Sequence, residues 1–171
     1  MPGKYKISMD RRVIKLLGEH LYGDAPSVLN ELVANAYDAR ADNVWITVKT
    51  TEPYQIIVED DGIGMNVDDI NNYFLNIGYN RRLKSDLQEQ LRYIERDDMG
   101  QKGIGKLAVF ALSHIVNVYS KKIDSDPIGC QLDFNIITKD DGEPSDLTDA
   151  SEKITRQKGT KIELTNVTKN L

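Results

Sequence analysis

Apolar residues recur at helical spacing twice near the start of the chain, at Val13, Ile14, Leu16, Leu17 and Leu21 and then at Val28, Leu29, Leu32, Val33 and Ala36. Two amphipathic helices are therefore predicted over residues 10–40, the second with Pro26 in its first turn. The period then shortens. Val44 to Val48 and Gln55 to Val58 alternate as strands around Thr51-Glu52-Pro53, a pattern that predicts a β-hairpin. Val67, Ile70, Tyr73 and Phe74 return to helical spacing, whereas residues 76–106 are polar and without sustained period, apart from Leu87, Leu91 and Ile94, which predict one short helix. That stretch is expected to be a long functional loop. An apolar helix over Leu107 to Leu112 follows, then strands over Ile115 to Tyr119, Leu132 to Thr138 and Lys161 to Val167, with a polar, turn-rich segment from Asp140 to Gln157. Helices first and strands afterwards predict an α+β chain in two layers, an α/β sandwich whose mixed, mostly antiparallel sheet carries its helices on one face.

The 171 residues fit one domain, large enough to bury a core without disulfide or metal. The only cysteine, Cys130, has no internal partner, and with only His20 and His114 beside it no zinc-ligand spacing arises. A reducing, cytoplasmic setting is expected. No apolar run approaches the roughly 20 residues that span a bilayer, and the first residues lack the apolar stretch of a signal peptide, so no membrane association is expected. A net charge of -5 argues only weakly against nucleic acid as a partner, because residues 76–106 hold seven Lys and Arg against five acids.

Chemistry concentrates in four short segments. In Glu31-Leu-Val-Ala-Asn35-Ala-Tyr-Asp38-Ala39, helical geometry brings Glu31, Asn35 and Asp38 within about 60° of one another, beside the apolar stripe of Leu32, Val33 and Ala36. A carboxylate and an amide so placed suit a cation or a water, and equally suit a solvated face. In Ile57-Val-Glu-Asp60-Asp-Gly62-Ile-Gly64-Met65, a strand runs into carboxylates and two glycines. Asp60 there can accept a hydrogen bond from an exocyclic amine, Gly62 and Gly64 let backbone approach a ligand, and Met65 offers a soft surface to a ring. The same letters also make an ordinary turn. Gly100-Gln-Lys-Gly103-Ile-Gly105-Lys106-Leu107 precedes an apolar helix, a setting that attracts phosphate. It approaches the P-loop and dinucleotide patterns, but Leu107 stands where a P-loop has a hydroxyl, and Glu95-Arg-Asp-Asp98 is not the apolar strand that both need. Gly159-Thr160 alone reads as a turn entering a strand.

In this order the four segments resemble the N box, the two glycine boxes and the terminal Gly-Thr of the GHKL ATPases, the superfamily of DNA gyrase, heat-shock chaperones, histidine kinases and MutL. The likeness covers residues 25–165 and leans toward prokaryotic heat-shock-chaperone and MORC-like members. It implies the Bergerat fold, with ATP and Mg2+ bound beneath a lid over residues 76–106. Carried onto these residues, it implies Glu31 as the general base for water, Asn35 as the magnesium-holding side chain, and Asp60 as the reader of adenine. Gly62, Gly64 and Met65 would line the base pocket, Thr160 would support the adenine contact, and Asn76 would lie near the ribose or α-phosphate. Gly100, Gly103 and Gly105 would wrap the phosphates, with Lys102 and Lys106 as candidates to neutralise them.

The resemblance implies slow ATP hydrolysis, with lid closure driving a conformational or dimerisation switch. The alternatives are a histidine-kinase domain and a nucleotide sensor that never cleaves ATP. Glu31 favours water as acceptor over histidine. A further domain usually supplies a lysine to the γ-phosphate in this superfamily, so the segment is expected to be part of a longer protein and to turn over weakly alone. Its ligands are expected to be ATP and ADP, a homodimer is a candidate assembly, and a protein or DNA client is left open.

Overall fold

The computed structural model describes residues 4–9, 24–77, 105–139 and 142–167. The predicted helix over Val13 to Leu21, the short helix at Leu87 to Ile94 and the sites Gly100, Lys102 and Gly103 lie outside the described residues, as do the side chains of Asn76 and Lys106.

Helix α1 (Ala25–Asp38) starts where Asp24 accepts the Ser27 N–H at 2.9 Å, with Pro26 in the first turn. Its buried positions, Ala25, Val28, Leu32, Ala36 and Asp38, follow the helical period. The chain leaves the helix at Arg40, in a left-handed conformation with φ 61°. The expected hairpin is present as β2 (Val44–Lys49) and β3 (Gln55–Asp60). Three residues of α2 (Val67–Asp69) continue as a π-helical turn over Ile70–Phe74, and the reciprocal hydrogen bonds of Asn66 and Asp69 close the helix start. A 3-10 helix spans Gly105–Ala111.

The main sheet has six antiparallel strands in the order β2, β3, β8 (Gly159–Thr165), β5 (Ile115–Lys121), β6 (Ile128–Asp133) and β7 (Ser145–Asp146). A separate parallel pair joins β1 (Ser8–Met9) to β4 (Asn76–Ile77). This is the expected α+β sandwich, but the main sheet is antiparallel throughout instead of mixed, because the one parallel pairing lies in the separate two-stranded sheet.

Register explains the core. The rows Ile56, Leu164, Val116, Leu132 and Val58, Ile162, Val118, Cys130 lie side by side on one face and pack with Val28 and Leu32 of α1. Burying these apolar rows supplies most of the stabilisation, at about 25 cal/mol per Å² removed from water. The opposite face carries the row Trp45, Glu59, Lys161, Tyr119. There the short helix α4 (Ala150–Lys153) covers Tyr119 with Ala150 and Ile154, while Arg156 stacks on Trp45 at 3.5 Å and donates to Glu59 at 2.9 Å.

Several boundaries differ from the sequence reading, two of them in the type of element. The strand expected over Leu132 to Thr138 begins earlier, at Ile128, and ends at Asp133, where helix α3 (Phe134–Ile137) takes over. Asp133 accepts the Asn135 N–H at 2.9 Å and the Phe134 N–H turns to the His114 carbonyl at 2.9 Å, so local capping overrides the β-branched composition. Gly159 and Thr160 are not a turn but the first residues of β8, paired with β3 and β5.

Candidate functional site

Three polar residues form one row across three neighbouring strands: Asp60 on β3 faces Thr160 on β8, which faces Ser120 on β5. Strand alternation puts this row on the same face as the apolar rows, so all three are buried. A buried polar row needs internal partners, and it has them. Asp60 Oδ1 accepts the N–H of Gly62 at 2.8 Å and of Thr160 at 3.3 Å. Ser120 Oγ accepts the Met65 N–H at 2.8 Å, lies 2.9 Å from Thr160 Oγ1 and donates to the Gly159 carbonyl at 3.1 Å. All the hydrogen bonds that described residues make with the Asp60 carboxyl reach Oδ1.

Burial pushes the Asp60 carboxyl up from 3.8 to about 6, against the pull of the Gly62 and Thr160 N–H groups and with help from the neighbouring Asp61 and Glu59 charges. It is thus an ionised acceptor at neutral pH, held where ionisation is costly. Its neighbour has a different role. Asp61 accepts the backbone N–H groups of Asp42 and Asn43, each at 2.8 Å, and the Asn43 side-chain amide at 2.9 Å, which hold its carboxyl below the usual range. Asp61 fastens the turn between α1 and β2.

The loop after β3 joins the row to the helix. The Ile63 N–H donates to the Ala39 carbonyl at 2.9 Å, and a Cβ on Gly62 would come within 2.7 Å of that same oxygen. Gly64 adopts φ +67°, and a Cβ there would meet the Lys121 carbonyl oxygen at 1.9 Å, so only glycine lets the loop lie against β5. Met65 is half-buried against the core cluster. Beyond it, Lys122 pairs with Asp69 at 3.2 Å and holds α2 to the end of β5.

The end of α1 is thereby fixed to the loop that follows Asp60. One turn back from that end, Asn35 is partly buried, and among the described residues its amide nitrogen is buried without a hydrogen-bond partner. Glu31, a further turn back, is exposed, and Asp38 is buried. The structure therefore brings together Asp60, Gly62, Gly64, Met65 and Thr160, and ties to them the helix that carries Glu31 and Asn35. It puts Asn76 in the backbone pairing of β4 with β1, and Gly105 and Lys106 at the start of the 3-10 helix.

A family model for histidine kinase-, DNA gyrase B- and HSP90-like ATPases matches residues 24–165. The chain belongs to that ATPase family. Its domains bind ATP, and the matched span includes the whole six-stranded sheet and α1. Among curated proteins, the chain is 36% identical over 169 residues to a protein named putative type II restriction enzyme HgiDII from Herpetosiphon aurantiacus, covering 95% of this chain and 26% of that protein. It is 29% identical over 136 residues to the chaperone protein HtpG of Borrelia garinii subsp. bavariensis, covering 67% of this chain and 21% of the chaperone. For HtpG of Chlorobium phaeobacteroides the identity is 26% over 148 residues, with 74% and 23% covered. The chain thus spans about a quarter of these relatives' length. Among the described residues, no helix is long and apolar enough to cross a membrane.

The sequence reading missed Ser120. The signal was its parity with Val116 and Val118, which marks it as inward-facing; its partners on β8 and in the Gly64-Met65 turn come from other parts of the chain.

Proposed function

We propose that this domain binds ATP together with Mg2+ and hydrolyses it slowly, and that closure of the segment around 76–106 over the triphosphate drives a conformational or dimerisation switch in a longer protein. The observation that carries the proposal is the buried row of Asp60, Thr160 and Ser120, backed by a loop that is hydrogen-bonded to the end of α1. An ionised carboxylate at the sheet end, with one oxygen unpartnered among the described residues, is suited to an exocyclic amine, and the Gly62 to Met65 backbone is suited to lie against the base.

Asn35 takes the magnesium role through its side-chain carbonyl oxygen, while its amide nitrogen, a donor with no partner among the described residues, is suited to a phosphate oxygen. When bound, the ion supplies charge neutralisation at the phosphates. Glu31, exposed on the same helix face, takes a proton from the attacking water and orients it. Asn76 serves the ribose or α-phosphate, and Gly100, Lys102, Gly103, Gly105 and Lys106 close on the phosphates.

Calorimetry with ATP and magnesium tests binding, with Asp60→Asn expected to abolish the heat. Glu31→Ala is expected to keep binding and lose phosphate release; unchanged release overturns the water-activation role. Stable label on a partner histidine after incubation with radiolabelled ATP would replace hydrolysis by phosphotransfer. The likeness to HgiDII supports DNA as client and the likeness to HtpG supports protein; stimulation of phosphate release in the longer protein by duplex DNA would decide for the first.

A further inference from the structure

We infer that Ser120 is a positioning residue that fixes the hydroxyl proton of Thr160, so that the base-reading row offers only acceptors and selects a purine with an exocyclic amine over one with an oxo group. The inference rests on the ATP-binding reading above and adds to it the device that sets base specificity.

A serine hydroxyl has one proton and two lone pairs. Ser120 Oγ has three short partners: the Met65 N–H at 2.8 Å, which can only donate; the Gly159 carbonyl at 3.1 Å, which can only accept; and Thr160 Oγ1 at 2.9 Å. The three are hydrogen bonds at once in only one arrangement. Ser120 gives its single proton to Gly159, accepts from Met65, and so must accept from Thr160 as well. Ser120 is fully buried, so no solvent competes for these sites.

Thr160 has then spent its proton inward and keeps only lone pairs for a ligand or a bridging water. Beside it, Asp60 uses Oδ1 for two backbone N–H groups and is ionised at pH 7.5, so its remaining oxygen is an acceptor too. A 6-amino group can donate to such an edge. A 6-oxo group meets lone pairs with lone pairs and leaves buried acceptors unmatched, the kind of mismatch by which a polar site rejects an analogue.

The test is the ratio of dissociation constants for ATP and ITP with magnesium, measured by calorimetry at pH 7.5 on the wild-type domain, Ser120→Ala, Ser120→Thr and Thr160→Val. The two nucleotides share ribose and triphosphate, so a merely structural loss moves both constants by the same factor and leaves the ratio alone. The wild type is expected to prefer ATP. Ser120→Ala frees the Thr160 proton to donate to the oxo group, and the preference is expected to narrow by about tenfold, the worth of one hydrogen bond. Ser120→Thr keeps the hydroxyl and is expected to keep the ratio. An unchanged ratio in Ser120→Ala overturns the inference while leaving ATP binding in place, whereas no heat from wild type with either nucleotide refutes the ATP reading and this inference with it. If Ser120→Ala does not fold, Thr160→Val decides: loss of an acceptor narrows the preference as expected, and a wider preference shows Thr160 to be a donor and overturns the inference.

Discussion

Replacing Asp60 by asparagine should stabilise the ligand-free domain while it abolishes nucleotide binding. The residue is 8% exposed, and its carboxyl is held at about 6 instead of 3.8, chiefly by burial. Between those two values the folded chain holds more proton on Asp60 than the unfolded chain does. Its stability contribution therefore falls as pH rises through that window and is level above it. At about 1.4 kcal/mol per tenfold change in proton affinity, the span amounts to about 3 kcal/mol lost by neutral pH. Asparagine carries no charge yet keeps an oxygen for the Gly62 and Thr160 N–H groups. Asp60→Asn is therefore expected to gain up to about 3 kcal/mol at pH 7.5, or about 6–12 °C in melting temperature for a domain of this size. Near pH 4 the two proteins should converge. The assay is urea unfolding of both at pH 4, 5, 6 and 7.5 without nucleotide, followed by calorimetry with ATP. The difference between the curves cancels Asp24, whose carboxyl lies below the usual range, and leaves Asp60 together with its charge coupling to Asp61 and Glu59. A variant no more stable than wild type at pH 7.5, or a difference that shrinks as pH rises, would refute the reasoning.

Other expectations follow from the same geometry. Glu31→Ala, on an exposed helix position, should shift stability by no more than about 0.5 kcal/mol and leave ATP affinity intact while phosphate release falls by about 100-fold or more, read by a phosphate-release assay beside a melt. Asn35→Ala removes a buried amide that has no partner among the described residues, so the ligand-free melting temperature should hold or rise while the further rise induced by Mg-ATP is lost. Gly64→Ala forces a Cβ to 1.9 Å from the Lys121 carbonyl at φ +67° and should cost about 2 kcal/mol or more in urea unfolding, with ATP binding weakened because the Met65 N–H leaves Ser120.

Much of this protein was legible in its residue order because the relevant physics is local. Side-chain period along the chain located α1 with its proline start, the β2–β3 hairpin, β5 and the last strand, since a helix or strand with one buried face must repeat apolar residues at 3.6 or 2.0. Motif spacing marked Asp60, Gly64 and Thr160, and with them the ATPase family. Where local chemistry competed with composition, the pattern misled: Phe134, Ile136 and Ile137 have strand-like bulk, yet the Asp133 cap turns them into α3.

What depended on tertiary structure is who meets whom. Of two adjacent carboxylates, Asp61 ties down the α1–β2 turn while Asp60 lies buried in the polar row with Oδ2 unpartnered among the described residues, a division set by strand parity and by partners some twenty residues away. Ser120, an unremarkable letter in a strand, becomes the junction of three segments because β5 pairs with β8 and the Gly64 turn folds onto it. Period and capping depend on neighbours a few residues apart, so sequence contains them; the hydrogen-bonded junction of residues 65, 120, 159 and 160 exists only once the sheet has brought those segments together.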